Sequence, residues 1–467
     1  MNYHAELRPE ELHRSDLFPG HRGDYDFTPD STLRNQERLE SAVRSYPRRL
    51  PISIQRAHGT SIVDTRGQVY LDCLAGAGAL ALGHNHPEIC QEIVAQLNSG
   101  LPYQTLDMTT PVKDGFIREL MGFLPPSFAA DGCIQFCGPS GSDAVEASLK
   151  LAKLFTGRSS VISFHGAYHG MTNGSLALMG NLNAKERRTG LMPDVHFLPF
   201  PYGLRCKFGL GGEAGERASI RFIESVLHDQ ESGIVKPAAI IVEPIQGEGG
   251  VIPASPYWLR EIRRITSELG IVLILDEIQC GIARSGRHFA FEHAGIDPDI
   301  LILSKAIGGG LPLSCLVFKK KFDVWNAGEH AGTFRGNQLA MAAGAKTLQI
   351  IQRDRLDDNA HRMGERLQGH LQVLQCSHAC IAEVRGKGLM LGIEIIDERQ
   401  SDKLGHPLAA PELAGRIQRA SLQHGLIIEK GGRHGAVLRF LPPLNITSQE
   451  VDVAARSFAM AVEACAN

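Results

Sequence analysis

Two residues of opposite chemical character, Asp276 and Lys305, stand 29 positions apart, and each closes an apolar run. Ile271-Val272-Leu273-Ile274-Leu275 ends in Asp276-Glu277, and Ile300-Leu301-Ile302-Leu303 ends in Ser304-Lys305. A lysine amine condenses with an aldehyde to a Schiff base. Pyridoxal phosphate is an aldehyde cofactor that needs such a lysine, and it needs an acid at its pyridine nitrogen to act as an electron sink. An aspartate and a lysine pointing into one crevice suit that chemistry. Taken alone, the pair equally describes an aspartate that caps the next element and a solvated surface lysine.

The elements behind the pair argue for a shared crevice. Both runs are short, aliphatic and non-alternating, which predicts strands covered on both faces of a parallel sheet. In such sheets, functional side chains collect at the carboxyl ends of the strands. From about residue 110 the pattern predicts helices and buried strands in alternation: helices over 111–123, 143–155 and 218–228, and strands over 133–137, 161–164, 238–243 and 313–318. Strands interleaved with helices of this length imply βαβ units, hence an α/β fold with a mostly parallel sheet. Upstream, 52–72 predicts a small β-meander turning at Thr65-Arg66-Gly67, and Pro87 opens a helix. Residues 1 to about 40 read as an extended arm, 39–44 as a short helix, and Tyr46-Pro47 as its break. A long helix is predicted over 339–351, followed by a C-terminal α/β portion.

Composition narrows the function classes. A chain of 467 residues, 43% hydrophobic and 21% charged, has room for a substantial core and more than one domain. A net charge of −3 gives no electrostatic case for nucleic acid or an anionic membrane. The N-terminal residues are polar and lack the apolar core of a signal peptide, and no run approaches the roughly 18 residues of a membrane span. The ten cysteines include no Cys-x-x-Cys pair. Cys133 with Cys137, and Cys376 with His378 and Cys380, lack a matched second half, so no metal site is predicted and a cytoplasmic location is expected.

Three further stretches have the composition of ligand loops. Cys137-Gly138-Pro139-Ser140-Gly141-Ser142-Asp143 joins a strand to a helix, where free N–H groups suit a phosphate, or where Ser142 or Asp143 is an ordinary cap. Tyr168-His169-Gly170 offers an aromatic face for stacking or for the core. Glu243-Pro244-Ile245-Gln246-Gly247-Glu248 ends a strand in two carboxylates. Such a pair can serve as acid and base on a sugar, although nothing else in the chain supports sugar chemistry.

Taken together, LDEIQCGIARSGR, PDILILSKAIGGGLP and these loops resemble the class III pyridoxal-phosphate-dependent aminotransferases. The resemblance implies fold type I: a large domain (96–345) on a mostly parallel seven-stranded sheet, and a smaller α/β domain from both chain ends (1–95, with its arm, and 346–467). It implies that Lys305 carries the cofactor and Asp276 faces the ring nitrogen. Gly141 and Ser142 would hold the phosphate, Tyr168 the ring face and Gln279 the ring hydroxyl, with His169 and Glu243 in the same set. Thr333 would reach the phosphate of a second subunit, so a homodimer with its active sites at the interface is implied. Glu248 would act as a gate on Arg439, whose planar fork suits a substrate carboxylate. When Glu248 pairs with Arg439 an ω-amine substrate fits, and when it swings away glutamate docks, in a ping-pong cycle.

Within the class, the N-terminal third (Glu40 to Arg48, Gly76-Ala77-Gly78-Ala79-Leu80, Gly83-His84-Asn85-His86-Pro87 and Leu106 to Asp114) resembles the diaminobutyrate–2-oxoglutarate aminotransferases. That implies exchange of an amino group between L-glutamate and L-aspartate 4-semialdehyde, giving L-2,4-diaminobutyrate and 2-oxoglutarate. Ala77 stands where ornithine enzymes tend to carry a bulky aromatic, and Tyr46, Arg48 and Arg49 are candidates for the semialdehyde carboxylate. The alternatives are another ω-aminotransferase (ornithine, acetylornithine or 4-aminobutyrate), an aminomutase, or a silent scaffold that kept the fold.

Overall fold

The computed structural model describes residues 25–466, so the expectations for the first 24 residues lie outside the described residues. Its centre is a seven-stranded sheet. In spatial order the strands are Gly132–Phe136, Cys315–Lys319, Ile300–Leu303, Val272–Asp276, Ala239–Val242, Val161–Phe164 and Val195–Leu198. All neighbours are parallel except at Cys315–Lys319, which runs against both of its partners. The mostly parallel sheet predicted from the apolar runs is therefore present.

The runs do not alternate because both faces of the sheet are covered. Ile241, Ile274 and Ile302 pack with Ala144, Val145 and Leu149 of the helix Gly141–Thr156. Their neighbours Leu273, Leu275, Leu301 and Leu303 pack on the other face with Trp258, Ile262 and Ile265 of the helix Pro256–Leu269. Ile274, Leu275, Ile302 and Leu303 are fully buried, and each contributes about 1.5–3 kcal/mol relative to exposure. This core fixes where the two strand ends, and hence Asp276 and Lys305, come out.

The meander forms as predicted, from Ile54–His58, Ser61–Asp64 and Val69–Asp72, with Gly67 at φ 79 in its turn. A fourth strand, Leu426–Ile427, joins Val69–Asp72 in parallel, and Leu441 N–H donates to the Cys73 carbonyl at 2.7 Å. An early and a late segment of the chain thus pair. A second sheet of Ile381–Lys387, Met390–Ser401, Val437–Phe440 and Glu429–Gly431 is wholly antiparallel, and its register sets Glu429 directly opposite Arg439.

One strand was missed and two expectations are corrected. The strand Val195–Leu198, only partly buried at the sheet edge, was not predicted from its weak apolar pattern. The helix expected over 39–44 lies earlier, at Ser31–Leu39, because the Asp30 side chain accepts the Leu33 N–H and caps it there. Tyr46-Pro47 starts a helical turn, Tyr46–Arg49, instead of ending one, because proline is tolerated in a first turn. Among the described residues, no helix is long and apolar enough to cross a membrane.

Candidate active site

Asp276 and Lys305 line one cavity of about 180 Å³ at the carboxyl ends of adjacent strands. Ser140, Gly141, Ser142, Tyr168, His169, Glu243, Glu248 and Gln279 line it as well. Lys305 is therefore not a solvated surface residue, and Asp276, although it accepts a local N–H, faces the same cavity. Lys305 holds φ 49, a left-handed conformation uncommon for a side-chain-bearing residue, at the turn that follows its strand. Burial lowers its amine below the usual lysine range, against the pull of Glu248 and Asp276.

Asp276 is buried and doubly held. One oxygen accepts the Ile278 N–H at 3.1 Å, and the other lies 2.8 Å from His169 Nδ1. The carboxylate orients the imidazole with its proton on Nδ1, while His169 Nε2 is buried without a partner. Glu243 acts on the loops: its two oxygens accept the Tyr168 and Gly247 N–H groups at 3.0 and 2.9 Å. Burial, with Asp276 adding to it, pushes this carboxyl up to about 7 against the opposing effect of His169.

At the phosphate end, the helix cap is Ser140, whose hydroxyl accepts the Ser142 N–H at 3.2 Å, and not Ser142 or Asp143. Asp143 instead closes the loop by accepting the Gly138 N–H at 2.6 Å. Ser142 Oγ accepts the Met171 N–H, and a Cβ on Gly170 would stand 2.1 Å from that oxygen, so only glycine fits. Gln279 donates to the Ala77 carbonyl at 3.1 Å, which brings these two predicted residues together. A Cβ on Gly247 would stand 1.9 Å from Gln279 Oε1, so a side chain there would push Gln279 out of this position.

The expected gate pair also meets: Arg439 Nη2 lies 2.7 Å from Glu248 Oε1. Burial would raise the Glu248 carboxyl, but the guanidinium overrides it and holds it below the ordinary value. Glu429 was missed by sequence reading. It lies 2.8 Å from the same Nη2 and accepts the Tyr46 hydroxyl at 3.0 Å. Its signal was available, because the apolar run Leu426-Ile427-Ile428 ends in Glu429 much as Leu275 ends in Asp276. Tyr46 thus touches Glu429, and Arg49 donates to the Lys430 carbonyl at 2.9 Å. Thr333 is exposed and does not line the cavity.

These features fit the aldehyde cofactor expected from the sequence. There is an acid with a fixed orientation, a depressed amine, an aromatic wall and a glycine-cleared helix start around a single cavity. The model for aminotransferase class-III matches residues 43–462. The chain belongs to the class-III aminotransferases.

Among its relatives, the diaminobutyrate–2-oxoglutarate aminotransferase of Rhizobium meliloti (strain 1021) is 53% identical over 432 residues, covering 92% of both chains. That of Haemophilus influenzae is 51% identical over 92% of this chain and 94% of its own. Among solved structures, an amine transaminase from an uncultivated Pseudomonas species in its PLP-bound form has a TM-score of 0.82 at 29% identity, covering 91% of this chain and 98% of that one. The ornithine aminotransferase of Toxoplasma gondii has a TM-score of 0.78 at 25% identity, covering 98% and 99%. In this aminotransferase the Asp276–Lys305 crevice is therefore set in the fold of known transaminases.

Proposed function

We propose that this aminotransferase uses pyridoxal 5'-phosphate to exchange an amino group between L-glutamate and L-aspartate 4-semialdehyde, forming L-2,4-diaminobutyrate and 2-oxoglutarate. The observation that carries the reaction type is the Asp276–Lys305 pair in one cavity beside the Glu248–Arg439 gate. The substrate choice is supported by relatives of that name at 53% and 51% identity over most of the chain.

When bound, the cofactor supplies an electron sink for the substrate's reacting carbon. Lys305 would hold it, Asp276 would face the ring nitrogen with His169 fixing its carboxylate, Tyr168 would cover the ring, and Gly141 with Ser142 would take the phosphate. Gln279 is placed for the ring hydroxyl. Glu243 ties the Tyr168 and Gly247 loops together around these groups. The depressed Lys305 amine is neutral more often than an exposed lysine, so its Nζ can take the proton from the substrate carbon and return it. Glu248 neutralises Arg439 while the ω-amine substrate is in place, and Arg439 takes a carboxylate of glutamate once Glu248 turns away.

The same reading makes the molecule a homodimer. Thr333 lies outside its own chain's cavity, next to the exposed Phe334 (59%), and the Gln338 N–H a few residues on donates to the carbonyl of the exposed Tyr103 (64%). An apolar face of this kind supports a covering second copy that receives Thr333 at its phosphate end. All ten cysteines are free, which supports a cytoplasmic setting.

The test is a donor panel of diaminobutyrate, ornithine, 4-aminobutyrate and N-acetylornithine with 2-oxoglutarate. Diaminobutyrate giving the highest kcat/KM is expected. Ornithine outrunning it would overturn the substrate, and turnover that does not depend on 2-oxoglutarate would point to an aminomutase.

A further inference from the structure

Arg439 is shared by two carboxylates, and only one of them is needed for a gate. Glu248 and Glu429 both approach Arg439 Nη2, at 2.7 and 2.8 Å. Glu248 sits on a loop and its side chain is 40% exposed, so it has room to move. Glu429 differs: it is 5% exposed and locked opposite Arg439 by strand register. Its Oε1 accepts the Tyr46 hydroxyl, and its Oε2 meets Arg439 without an aligned hydrogen bond. Two carboxylates therefore share one guanidinium, and Glu429, the buried one, meets it without an aligned hydrogen bond. A buried carboxylate placed in this way gains from a further cation that pairs with it.

The two substrates of the proposed reaction differ in where they carry a cation. Glutamate reacts at its α-amine, so it carries one carboxylate beside the reacting carbon and one at its far end, and no second ammonium. Diaminobutyrate and aspartate semialdehyde react at C4 and keep both an α-ammonium and an α-carboxylate at the far end. A site for these molecules therefore needs a distal anion for the ammonium, as well as a cation for the carboxylate. We infer that Glu429, positioned by Tyr46 and Arg439, is the specificity residue that receives the α-ammonium of the amino-acid substrate that reacts at its ω-end. Arg49, anchored on the Lys430 carbonyl next to Glu429, is a nearby cation for the accompanying carboxylate. Glu429 thereby rejects ω-amines of the same length that lack the α-ammonium, because their carboxylate would face it unpaired.

The inference rests on the amino-acid substrate proposed above, and the experiment separates the two. Two matched pairs are compared in single-turnover half-reactions, diaminobutyrate with 4-aminobutyrate and ornithine with 5-aminopentanoate. Each member of a pair differs from the other only in the α-ammonium. Both pairs are run on the wild-type holoenzyme, Glu429→Gln and Glu429→Asp. In Glu429→Gln the preference within the favoured pair is expected to fall about 10- to 100-fold. The fall should come from a higher KM for the diamine, with the ω-monoamine unchanged or improved, and Glu429→Asp should restore part of the preference. Equal losses for both members of a pair would reflect a merely structural role and overturn the inference. A wild type that prefers the ornithine pair overturns the proposed substrate but leaves Glu429 to be judged on that pair. A wild type that does not discriminate within either pair overturns the inference directly.

Discussion

The two ends of the active site are built on different terms. At the cofactor end, Asp276, His169 and Glu243 are buried at or beside the ends of parallel strands; Asp276 and His169 hold each other at 2.8 Å, and the two carboxylates accept backbone N–H groups at 2.9–3.1 Å. At the substrate end, Tyr46, Glu248 and the strand-paired Glu429 and Arg439 come from three distant parts of the chain and touch one another mainly through opposite charges. The first arrangement is preorganised, and nothing in it needs to move for two substrates to alternate. The second is a balance of charges around one guanidinium, which a change of substrate can tip. Chemistry common to both half-reactions is thus placed in the rigid end, and discrimination between them in the adjustable one.

Variants at the rigid end should damage both half-reactions alike. Lys305→Ala should lower kcat by at least ~10⁴-fold with either substrate, because one amine both carries the cofactor and moves the proton. The coupled glutamate assay measures it, alongside loss of visible absorbance in the purified protein. Asp276→Asn keeps the shape but removes the charge at the ring nitrogen, and a fall of about 10²–10³-fold in kcat is expected with little change in KM. A loss confined to one substrate in either variant would break the contrast between the two ends.

Glu243 tests whether the rigid end carries a cost in stability. Its folded-state value of about 7 stands above the ordinary 4.5, so between these values the folded chain holds a proton that the unfolded chain has released. The stability this group contributes is present below about pH 4.5 and is lost as the pH rises through 7, a change of about 3 kcal/mol. Glu243→Gln does not titrate. The stability of wild type minus that of the variant, from denaturant unfolding at pH 5 and pH 8, should therefore fall with pH. Parallel profiles would mean that the Tyr168 and Gly247 N–H bonds keep the carboxylate ionised throughout.

At the adjustable end, Arg439→Lys keeps a positive charge but gives up the fork. We expect kcat/KM for glutamate to drop by about 10²-fold, and for diaminobutyrate by much less, since the first docks a carboxylate there and the second does not. Half-reaction rates measured separately for the two substrates check this. Equal losses would show Arg439 to be structural and remove the distinction drawn here.

The contrast also explains what could be read from the sequence. The rigid end is written locally: apolar runs that stop at Asp276 and at Ser304-Lys305, and glycines beside Ser142, His169 and Gln279, each readable within a dozen residues. The adjustable end depends on register and closure between segments nearly 400 residues apart, as with Tyr46 and Glu429. Glu248 and Arg439 were legible only through family resemblance. Glu429 closes an apolar run that marks a strand end, but the pairing that sets it opposite Arg439 is not written in that run. The same holds for the fold. The buried central strands were found from composition, whereas the edge strand Val195–Leu198 and the shift of the first helix to Ser31–Leu39 were decided by a neighbouring strand and by the Asp30 cap.

The smallest effect expected is at Tyr46. Tyr46→Phe removes one hydroxyl, whose bond to Glu429 is charge-assisted but only partly buried, so a cost of about 1 kcal/mol is expected. That is roughly a fivefold rise in KM for diaminobutyrate, with kcat unchanged because Tyr46 does not line the cavity that holds Lys305. Glutamate should be affected less still, since it carries no second ammonium for Glu429 to receive. Combining Tyr46→Phe with Glu429→Gln sharpens the comparison. If the hydroxyl acts only by orienting this carboxylate, the double variant should be no worse than Glu429→Gln alone. If the two losses multiply, Tyr46 contacts the substrate in its own right, and the adjustable end contains two independent readers of the amino acid instead of one.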